Sequence, residues 1–479
     1  MKYLKNIYFH IVDFVASHYM LIHVALIYIY SRVIYYFILR VFFNSKPLLF
    51  AFQYLDPTLL KNDLLQSLFY MHSQPPLFNM FLGIGLKLFS DDPGIFYHYS
   101  FLFLGLIFSL SLYLLLIRLN ISKGGSFILT VIFIVNPAFI LYENLLFYTH
   151  PIMVLLLLSA FLLNFYLKNR SLLPLFLFFT VLAIVCLTQS FFHIAWFAAI
   201  VLIILLFKKN EIKRVIFAAS IPFLIVLSVY LKNYFVFNEF TSSTWFGMNF
   251  SKITTFQVPQ HTRDSLFKAG STSYLSTLTY FPDIKKPSLN IAIDTTSIGI
   301  PALDEIKKSS DRTNYNNINY IRISETSLKD ALTILKKIPN AYLNGLQKAI
   351  SIYFMPPDNY SLLGATKKKI LLWADVFDEI VYGCIGRDQK EALFLIILFP
   401  LLLLYGIYYL IKEHSDPAVK VTVAYILFII FYVTIVGILF DVGENNRFRY
   451  VIDPYLFVLA GFSINNLWHK IMKSNINDH

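Results

Sequence analysis

Residues 391–411 read EALFLIILFPLLLLYGIYYLI, so that twenty residues in a row follow Glu391 without a charged side chain. An α-helix needs about 20 apolar residues to cross the ~30 Å hydrocarbon core of a bilayer. This run therefore predicts a membrane-spanning helix. Nine similar runs bring the predicted number of spans to ten, at 11–31, 95–117, 126–142, 151–167, 172–188, 190–207, 215–231, 391–411, 418–440 and 450–468.

The composition of the whole chain agrees with these runs. Of the 479 residues, 57% are hydrophobic and only 14% are charged, against about 25% in ordinary globular proteins. The mean hydropathy is +0.63. In lipid only helices and closed barrels satisfy their own backbone hydrogen bonds, and a barrel would show short alternating segments instead. The sequence predicts an all-α polytopic membrane protein.

Lys and Arg residues sort by side of the membrane. The two termini and the short connections after the second, fourth, sixth and eighth spans are basic, with Lys2, Lys5, Arg118, Lys123, Lys168, Arg170, Lys208, Lys209, Lys213, Arg214, Lys412, Lys420, Lys470 and Lys473. The positive-inside rule makes this side cytoplasmic, so both termini are expected inside. This placement accounts for the net charge of +12 without a nucleic-acid partner. The Lys-, Asn-, Ile- and Phe-rich composition suggests an AT-rich genome, and we expect a bacterial inner membrane.

The predicted topology leaves two large regions outside. The first is the loop 32–94 within an N-terminal transmembrane module, 1–231, and the second is an extracytoplasmic domain, 232–390, of α+β or irregular structure. C-terminal helices, 391–479, complete the chain. Three stretches are expected to lie as helices at the outer membrane surface rather than to cross it. They are Leu77 to Phe89, which is too short to cross and is expected as a juxtamembrane or re-entrant helix, and the amphipathic segments Thr58 to Met71 and Ala341 to Phe354.

The polar residues that could carry chemistry gather on the predicted outer side. They are Asp56, Asp63, His72, Gln74, Glu143, Lys232, Glu239, Asp441, Glu444, Arg447 and Arg449. A transporter is expected to bury ionisable groups near the middle of its spans, and these spans have almost none. His10, His18 and His23 along the first span fit no metal-binding spacing. The sequence favours a site on the outer face.

Two acids lie on the first loop helix. Asp56 precedes Pro57, which is a standard helix start with Asp as the N-cap, and it could equally act as a general base. Asp63 falls on the polar face of the same predicted helix, where a solvated charge is favoured over a catalytic one.

Two further residues have both a structural and a functional interpretation. His72 precedes Pro75-Pro76 and is either an interfacial histidine or a ligand for phosphate or a metal. Glu143 ends the third span and either marks the membrane boundary or acts together with Asp56, to bind a divalent cation, Mg or Mn, or to orient the acceptor. Asp56, Glu143 and His72 thus form a tentative metal set.

The stretch Glu444 to Tyr450, ENNRFRY, is the densest polar cluster between two spans. Two arginines in a short outer loop run against the positive-inside trend. A guanidinium group suits a phosphate oxyanion, so Arg447 and Arg449 are candidate phosphate ligands. Glu444 is either their counter-ion or a substrate ligand.

Four stretches in this order give the chain a family resemblance. They are the loop acid Asp56, the run His72 to Phe78, the run Lys232 to Phe240 with Gly247-Met248-Asn249, and Glu444 to Tyr450 with Asp453-Pro454. Together they resemble the GT-C superfamily of polyprenyl-phosphate-sugar-dependent glycosyltransferases. Within it the chain looks like the branch that holds protein O-mannosyltransferases and lipid A aminoarabinose transferases.

The resemblance implies a GT-C-like fold and an inverting transfer of a sugar from a polyprenyl-phosphate donor to an acceptor on the outer face. The acceptor would be a lipid, a glycan or a protein. The implied catalytic acids are Asp56, Asp63 and Glu143. The donor phosphate would meet Arg447, Arg449, His72 and Lys232, and the substrates would meet Gln74, Asn249 and Glu444.

The chain departs from the family in two respects. Many members carry two adjacent acids in the first loop, whereas here Pro57 follows Asp56. The large lumenal domain of the protein mannosyltransferases has no evident counterpart, which disfavours a protein acceptor.

Three alternatives remain open. A polysaccharide polymerase or ligase would use a lipid-pyrophosphate donor with similar outer arginines. A lipid or sugar transporter would show mid-span charges and broken helices in paired halves. A scaffold that binds a partner through its outer domain would leave the outer arginines and acids dispensable.

Overall fold

The computed structural model describes residues 19–284, 297–385, 391–412 and 416–477. The first predicted span, 11–31, lies partly outside these residues. His10 and His18 lie outside them entirely. The membrane part contains the helices α1 (Tyr19–Ile38), α2 (Pro47–Phe50), α3 (Pro57–Asn62), α4 (Leu64–Phe69), α5 (Leu77–Leu88), α6 (Pro93–Arg118), α7 (Lys123–Ile134), α8 (Pro137–Glu143), α9 (Thr149–Asn169), α10 (Leu172–Thr188), α11 (Ile194–Phe207) and α12 (Ile212–Phe237).

The remaining helices belong to a polar insertion, 238–392, and to the C-terminal part. They are α13 (Phe246–Ile253), α14 (Gln260–Lys268), α15 (Pro301–Asp304), α16 (Asn319–Lys337), α17 (Pro339–Tyr353), α18 (Gly364–Lys367), α19 (Leu371–Phe377), α20 (Leu393–Ile411), α21 (Pro417–Phe440), α22 (Asn445–Tyr450) and α23 (Asp453–Asn477). In the described residues the strands are two short antiparallel ones, β1 (Cys384–Ile385) and β2 (Glu391–Ala392). The described part of the insertion is thus mainly helical.

The described part of the chain contains six helices that are long and apolar enough to cross a membrane: α1, α6, α9, α12 with the turn before it, α20 and α21. The number is seven if the bent pair α7–α8 counts as one span. The chain is therefore a helical, polytopic membrane protein, as its composition predicts.

The count of ten spans stays a prediction, because three of the predicted spans lie in helices that do not qualify. Helices α10 and α11 have 17 and 14 residues. At 1.5 Å per residue a 14-residue helix is about 21 Å long, which falls short of the hydrocarbon core. Helix α23 carries polar residues through its second half, among them Asn465, Asn466 and His469.

The predicted third span is bent by 57° between α7 and α8. Its sequence explains the bend. Pro137 has no N–H to continue the helix, and the Asn136 side chain caps α8 by accepting from the Ala138 N–H at 2.9 Å. The bend places Glu143 at the end of α8, inside the protein.

Two of the predicted surface helices differ from expectation. The stretch from Thr58 to Met71 forms α3 and α4, because the backbone leaves the helical region at Asp63, with φ −124° and ψ 46°. The second, α17, buries Ala341, Ala349 and Tyr353 and leaves Leu343 and Ile350 exposed. Part of its apolar face therefore packs on protein.

Helix α13 is held closely by its neighbours in the insertion. A Cβ atom on Gly247 would lie 1.9 Å from the Ser324 carbonyl oxygen of α16, so only glycine fits there. A Cβ on Gly345 of α17 would lie 2.2 Å from the Ile253 carbonyl oxygen. This close packing fixes the face of α13 that carries Asn249 and Lys252.

Candidate functional site

A cavity of about 720 Å³ lies where the insertion meets the ends of the membrane helices. Its wall is formed by α13, by the end of α21 with the following loop, by the α10–α11 connection and by parts of the first loop. The volume lies within the range of ligand-binding sites. The polar lining residues that bear on chemistry are Gln53, Gln74, Gln189, Ser190, His193, Asn249, Lys252, Asp441, Glu444 and Arg447.

Two ion pairs form one wall of the cavity. Lys252 Nζ lies 2.7 Å from Asp441 Oδ1, and the Arg447 guanidinium pairs with the Glu444 carboxylate. The pair of Lys252 and Asp441 joins the insertion to the end of α21. Burial strengthens such electrostatic contacts and also makes each partner costly to remove.

Arg447 is only 3% exposed and sits among aromatic rings. Its guanidinium carbon lies 4.7 to 5.6 Å from the ring centres of Phe448, Phe147, Tyr360 and Tyr148. Burial acts to lower the pKa of Arg447, but Glu444 raises it well above its ordinary value. The cavity wall therefore holds a permanent positive charge in a rigid setting.

Asp441 and Glu444 differ in how many of their carboxylate oxygens accept hydrogen bonds. Asp441 Oδ1 accepts from Lys252 and from the Val442 N–H at 2.7 Å, and within the described residues no hydrogen bond reaches Oδ2. Glu444 uses both oxygens, since Oε2 accepts from Arg447 and Oε1 from the Tyr360 hydroxyl at 3.5 Å. Asp441 thus keeps one oxygen open for a proton.

The carboxyl pKa values point the same way. Burial raises the pKa of Asp441 above its ordinary value, and Lys252 offsets only part of that rise. Burial also acts to raise the pKa of Glu444, but Arg447 and Lys252 outweigh it and lower that pKa. Asp441 is therefore the stronger base of the two.

Glu143 lies outside the cavity lining and is fully buried. Both of its oxygens accept from Arg32 of α1, at 2.8 Å from Nε and 2.9 Å from Nη2. The Tyr28 hydroxyl adds a third hydrogen bond at 3.1 Å. This bidentate pair ties α1 to the end of α8 and leaves no room for a substrate or a cation.

The first-loop acids also lie away from the cavity. Asp56 is the N-cap of α3 and accepts from the Thr58 N–H at 2.7 Å. It accepts a second hydrogen bond from the Ser309 hydroxyl at 2.7 Å, which fastens the insertion to the first loop. Asp63 is exposed at the junction of α3 and α4. The geometry of Asp56 is therefore that of a helix N-cap.

His72 is fully buried between the first loop and the insertion. Its Nε2 donates to the Asn316 carbonyl at 2.9 Å, and Nδ1 lies 2.8 Å from the Thr244 hydroxyl. Burial lowers the pKa of His72 to about 3, so the ring is neutral at pH 7. Lys232 donates to the Met71 carbonyl at 2.6 Å. Neither residue lines the cavity.

Arg449 is fully buried behind the cavity wall, on the opposite side of α22 from Arg447. It donates to the Met355 carbonyl at 3.1 Å and lies 3.5 Å from Asp453. Of the two arginines, only Arg447 reaches the cavity.

The structure therefore brings together five of the residues selected from the sequence: Gln74, Asn249, Asp441, Glu444 and Arg447. The sequence analysis missed Lys252, Gln189 and His193, and it gave Asp441 no role. Lys252 had a signal, because it follows Asn249 by three positions and so shares its face of a helix. The other two lie in a connection between apolar runs, where no pattern marks them.

The tentative metal set is not assembled. Asp56, Glu143 and His72 each have separate partners, and the described residues contain no group of three or more His, Cys, Asp and Glu side chains placed to hold a metal ion. The dependence on a divalent cation stays a prediction.

The fold and the cavity define a polytopic helical membrane protein with paired charges at the ends of its helices. No protein-family model matches the sequence, and comparison with curated proteins gives no match. The function must therefore be argued from the cavity.

We expect Glu143→Gln to destabilise the protein by about 3–5 kcal/mol, because it leaves the buried Arg32 guanidinium unpaired. The measurement is the thermal unfolding midpoint in detergent, followed by intrinsic fluorescence. Asp63→Asn, at an exposed acid, is the control and should leave the midpoint unchanged. A Glu143→Gln protein as stable as the wild type would contradict the structural role and reopen a role in catalysis or metal binding.

Proposed function

We propose that the protein is an inverting glycosyltransferase that moves a sugar from a polyprenyl-phosphate donor to an acceptor hydroxyl. The observation that carries the proposal is the joint lining of one cavity by a fixed cation, Arg447, and a carboxylate with an open oxygen, Asp441. Group transfer from a phosphate needs both, one for the leaving group and one for the attacking hydroxyl.

The position of the cavity supports a donor that is held in lipid. Phe246 and Phe440 line the cavity, are 50% and 38% exposed, and have ring centres 5.9 Å apart. Phe440 ends a membrane helix, so these rings give the cavity an apolar margin beside the bilayer. A polyprenyl chain could lie there while its phosphate reaches Arg447.

The charge of the cavity supports a monophosphate rather than a pyrophosphate donor. The two cations, Lys252 and Arg447, are each balanced by a carboxylate, which gives 2 − 2 = 0 formal charges. A sugar phosphodiester carries one negative charge, whereas a pyrophosphate diester carries two and would lie closer to Asp441 and Glu444. This favours the transferase over a polymerase or ligase that uses a lipid-pyrophosphate donor.

The chemistry follows from these groups. Asp441 Oδ2 takes the proton of the acceptor hydroxyl, whose oxygen attacks the anomeric carbon of the donor. The bond between that carbon and the phosphate oxygen breaks on the opposite face, and its electron pair leaves with the polyprenyl phosphate. Arg447 stabilises the charge that develops on this leaving group, and the proton on Asp441 passes to water. Confinement of donor and enzyme to the bilayer contributes proximity.

Within this proposal the cavity faces the side of the membrane opposite the basic connections. The exposed lysines at Lys209 and Lys213 lie at the other ends of the helices that border the insertion. With the positive-inside rule, this supports a cavity on the outer face and cytoplasmic termini, and we propose a bacterial inner membrane as the location.

We expect Asp441→Asn to lower kcat at least about 100-fold, since a general base contributes roughly 10²–10⁴. The measurement is transfer of radiolabelled sugar from polyprenyl monophosphate by protein in nanodiscs, with a membrane extract as the acceptor. Asp56→Asn is the matched control and should stay within a few-fold of the wild type. Loss in Asp56→Asn with retention in Asp441→Asn would move the base to the first loop.

The pH dependence of transfer should report Asp441. A base must be deprotonated, so activity should fall as pH falls through its pKa, which burial places above the ordinary aspartate value. Lys252→Gln removes a favourable cation and should move this acidic limb to higher pH. Glu444→Gln removes a like charge and should move it to lower pH. Both shifts are measured from the pH dependence of kcat. If the acidic limbs of the two variants do not move in opposite directions, Asp441 is not the base.

A further inference from the structure

We propose that the uncharged part of the cavity wall is an acceptor subsite for a neutral saccharide. The inference rests on the proposed function and names the class of acceptor, which that function leaves open. It is carried by two amide side chains of the lining with unused hydrogen-bonding groups, by two half-exposed aromatic rings of the same lining and by the position of one ring, Tyr280, near Asp441.

Two buried glutamines line the cavity with hydrogen-bonding groups unused. Gln74 is 8% exposed and Gln189 is 6% exposed. Gln74 Oε1 accepts from the Ser190 hydroxyl at 3.3 Å, and among the described residues no hydrogen bond involves Gln74 Nε2 or the side-chain amide of Gln189. These amide groups face the cavity, so a ligand that enters it can take up the hydrogen bonds that the protein leaves open.

The chemistry of these amides matches a sugar. Each glutamine offers a donor and an acceptor in one plane, and each sugar hydroxyl both donates and accepts. Gln53, Ser190, Ser242 and Ser243 line the same cavity and are also uncharged. A wall of neutral donors and acceptors suits a polyol better than an ion.

Two aromatic rings in the lining of the same cavity are partly exposed. Phe52 is 46% exposed and Tyr280 is 41% exposed, although both line the cavity. Phe281 holds them in place, with its ring centre 5.8 Å from Phe52 and 5.9 Å from Tyr280. Such rings can stack against the apolar C–H face of a pyranose while its hydroxyls meet the amides.

The position of Tyr280 connects this wall to the chemistry. Lys252 Nζ lies 5.4 Å from the Tyr280 ring centre and 2.7 Å from Asp441 Oδ1. A saccharide stacked on Tyr280 would therefore border the carboxylate that takes the proton. Arg447, which lies on the same wall as Asp441, is left for the donor phosphate.

Charge argues against an acidic saccharide in this subsite. The two cations of the cavity are already paired with Asp441 and Glu444, and an acceptor carboxylate would lie near both acids. Beside Tyr280 such an acceptor would meet only Lys252, whose charge Asp441 already balances, and it would lose hydration next to that carboxylate. The cavity thus selects against negative charge on the acceptor.

The test is saturation-transfer NMR on the protein in nanodiscs, without a donor. The probes are the methyl glycosides of glucose, galactose and mannose, the methyl glycoside of glucuronic acid and a serine-containing tripeptide. We expect binding of at least one neutral glycoside and none of the acidic glycoside or the peptide. Gln74→Leu, Gln189→Leu and Tyr280→Ala should each raise its Kd about five- to tenfold, whereas Gln66→Leu, at an exposed residue of α4, should not.

Two outcomes would overturn the subsite: no binding of any neutral glycoside, or binding that all three cavity variants leave unchanged. Size-exclusion chromatography checks that each variant is folded. Because three positions are substituted separately, the test still stands if one variant does not fold. Because no donor is present, the transferase proposal is judged separately. Neutral sugar binding without transfer would refute the transferase alone, and transfer without neutral sugar binding would refute the subsite alone.

Discussion

The need of every buried charge for a partner determines how this protein is built and where it can act. Removing a charge from water costs several kcal/mol, which only close pairing offsets. Glu143 and Arg32 meet this need deep in the helical part, and their carboxylate and guanidinium are fully used. Lys252 with Asp441, and Arg447 with Glu444, meet it at the wall of a cavity, where a ligand can still reach them. The same constraint thus separates the structural acids from the candidate catalytic one.

The candidate site is shared between two parts of the chain. The insertion supplies Lys252 and Asn249 on α13, and the last helices supply Asp441 and Arg447. The ion pair between Lys252 and Asp441 joins these parts, while Asp56 with Ser309 and His72 with Asn316 fasten the insertion to the first loop. Asp56, predicted to be catalytic, and His72, predicted to bind the donor phosphate, thus hold in place the insertion that completes the cavity.

Local properties of the sequence predicted the parts of the fold that depend on them. The long apolar runs at α20 and α21 gave helices with nearly the expected bounds, since hydropathy and length act within one segment. The roles of Asp56, His72 and Glu143 could not be obtained this way, because their partners lie 253, 244 and 111 residues away. The difference between Arg447 and Arg449 could have been predicted from the sequence. Arg447 and Arg449 are two positions apart, and at 3.6 residues per turn they point about 200° apart, so a helix allows only one of them to face the cavity.

The central claim is that a lipid-linked sugar phosphate binds at Arg447 with its anomeric carbon next to Asp441. The most direct measurement is a cryo-electron microscopy map of the protein in nanodiscs with a non-hydrolysable polyprenyl-phosphate sugar. We expect phosphate density within hydrogen-bonding distance of the Arg447 guanidinium, with the polyprenyl chain passing Phe246 and Phe440. Phosphate density at Lys232, His72 or Arg449, or an empty cavity at saturating donor, would contradict it.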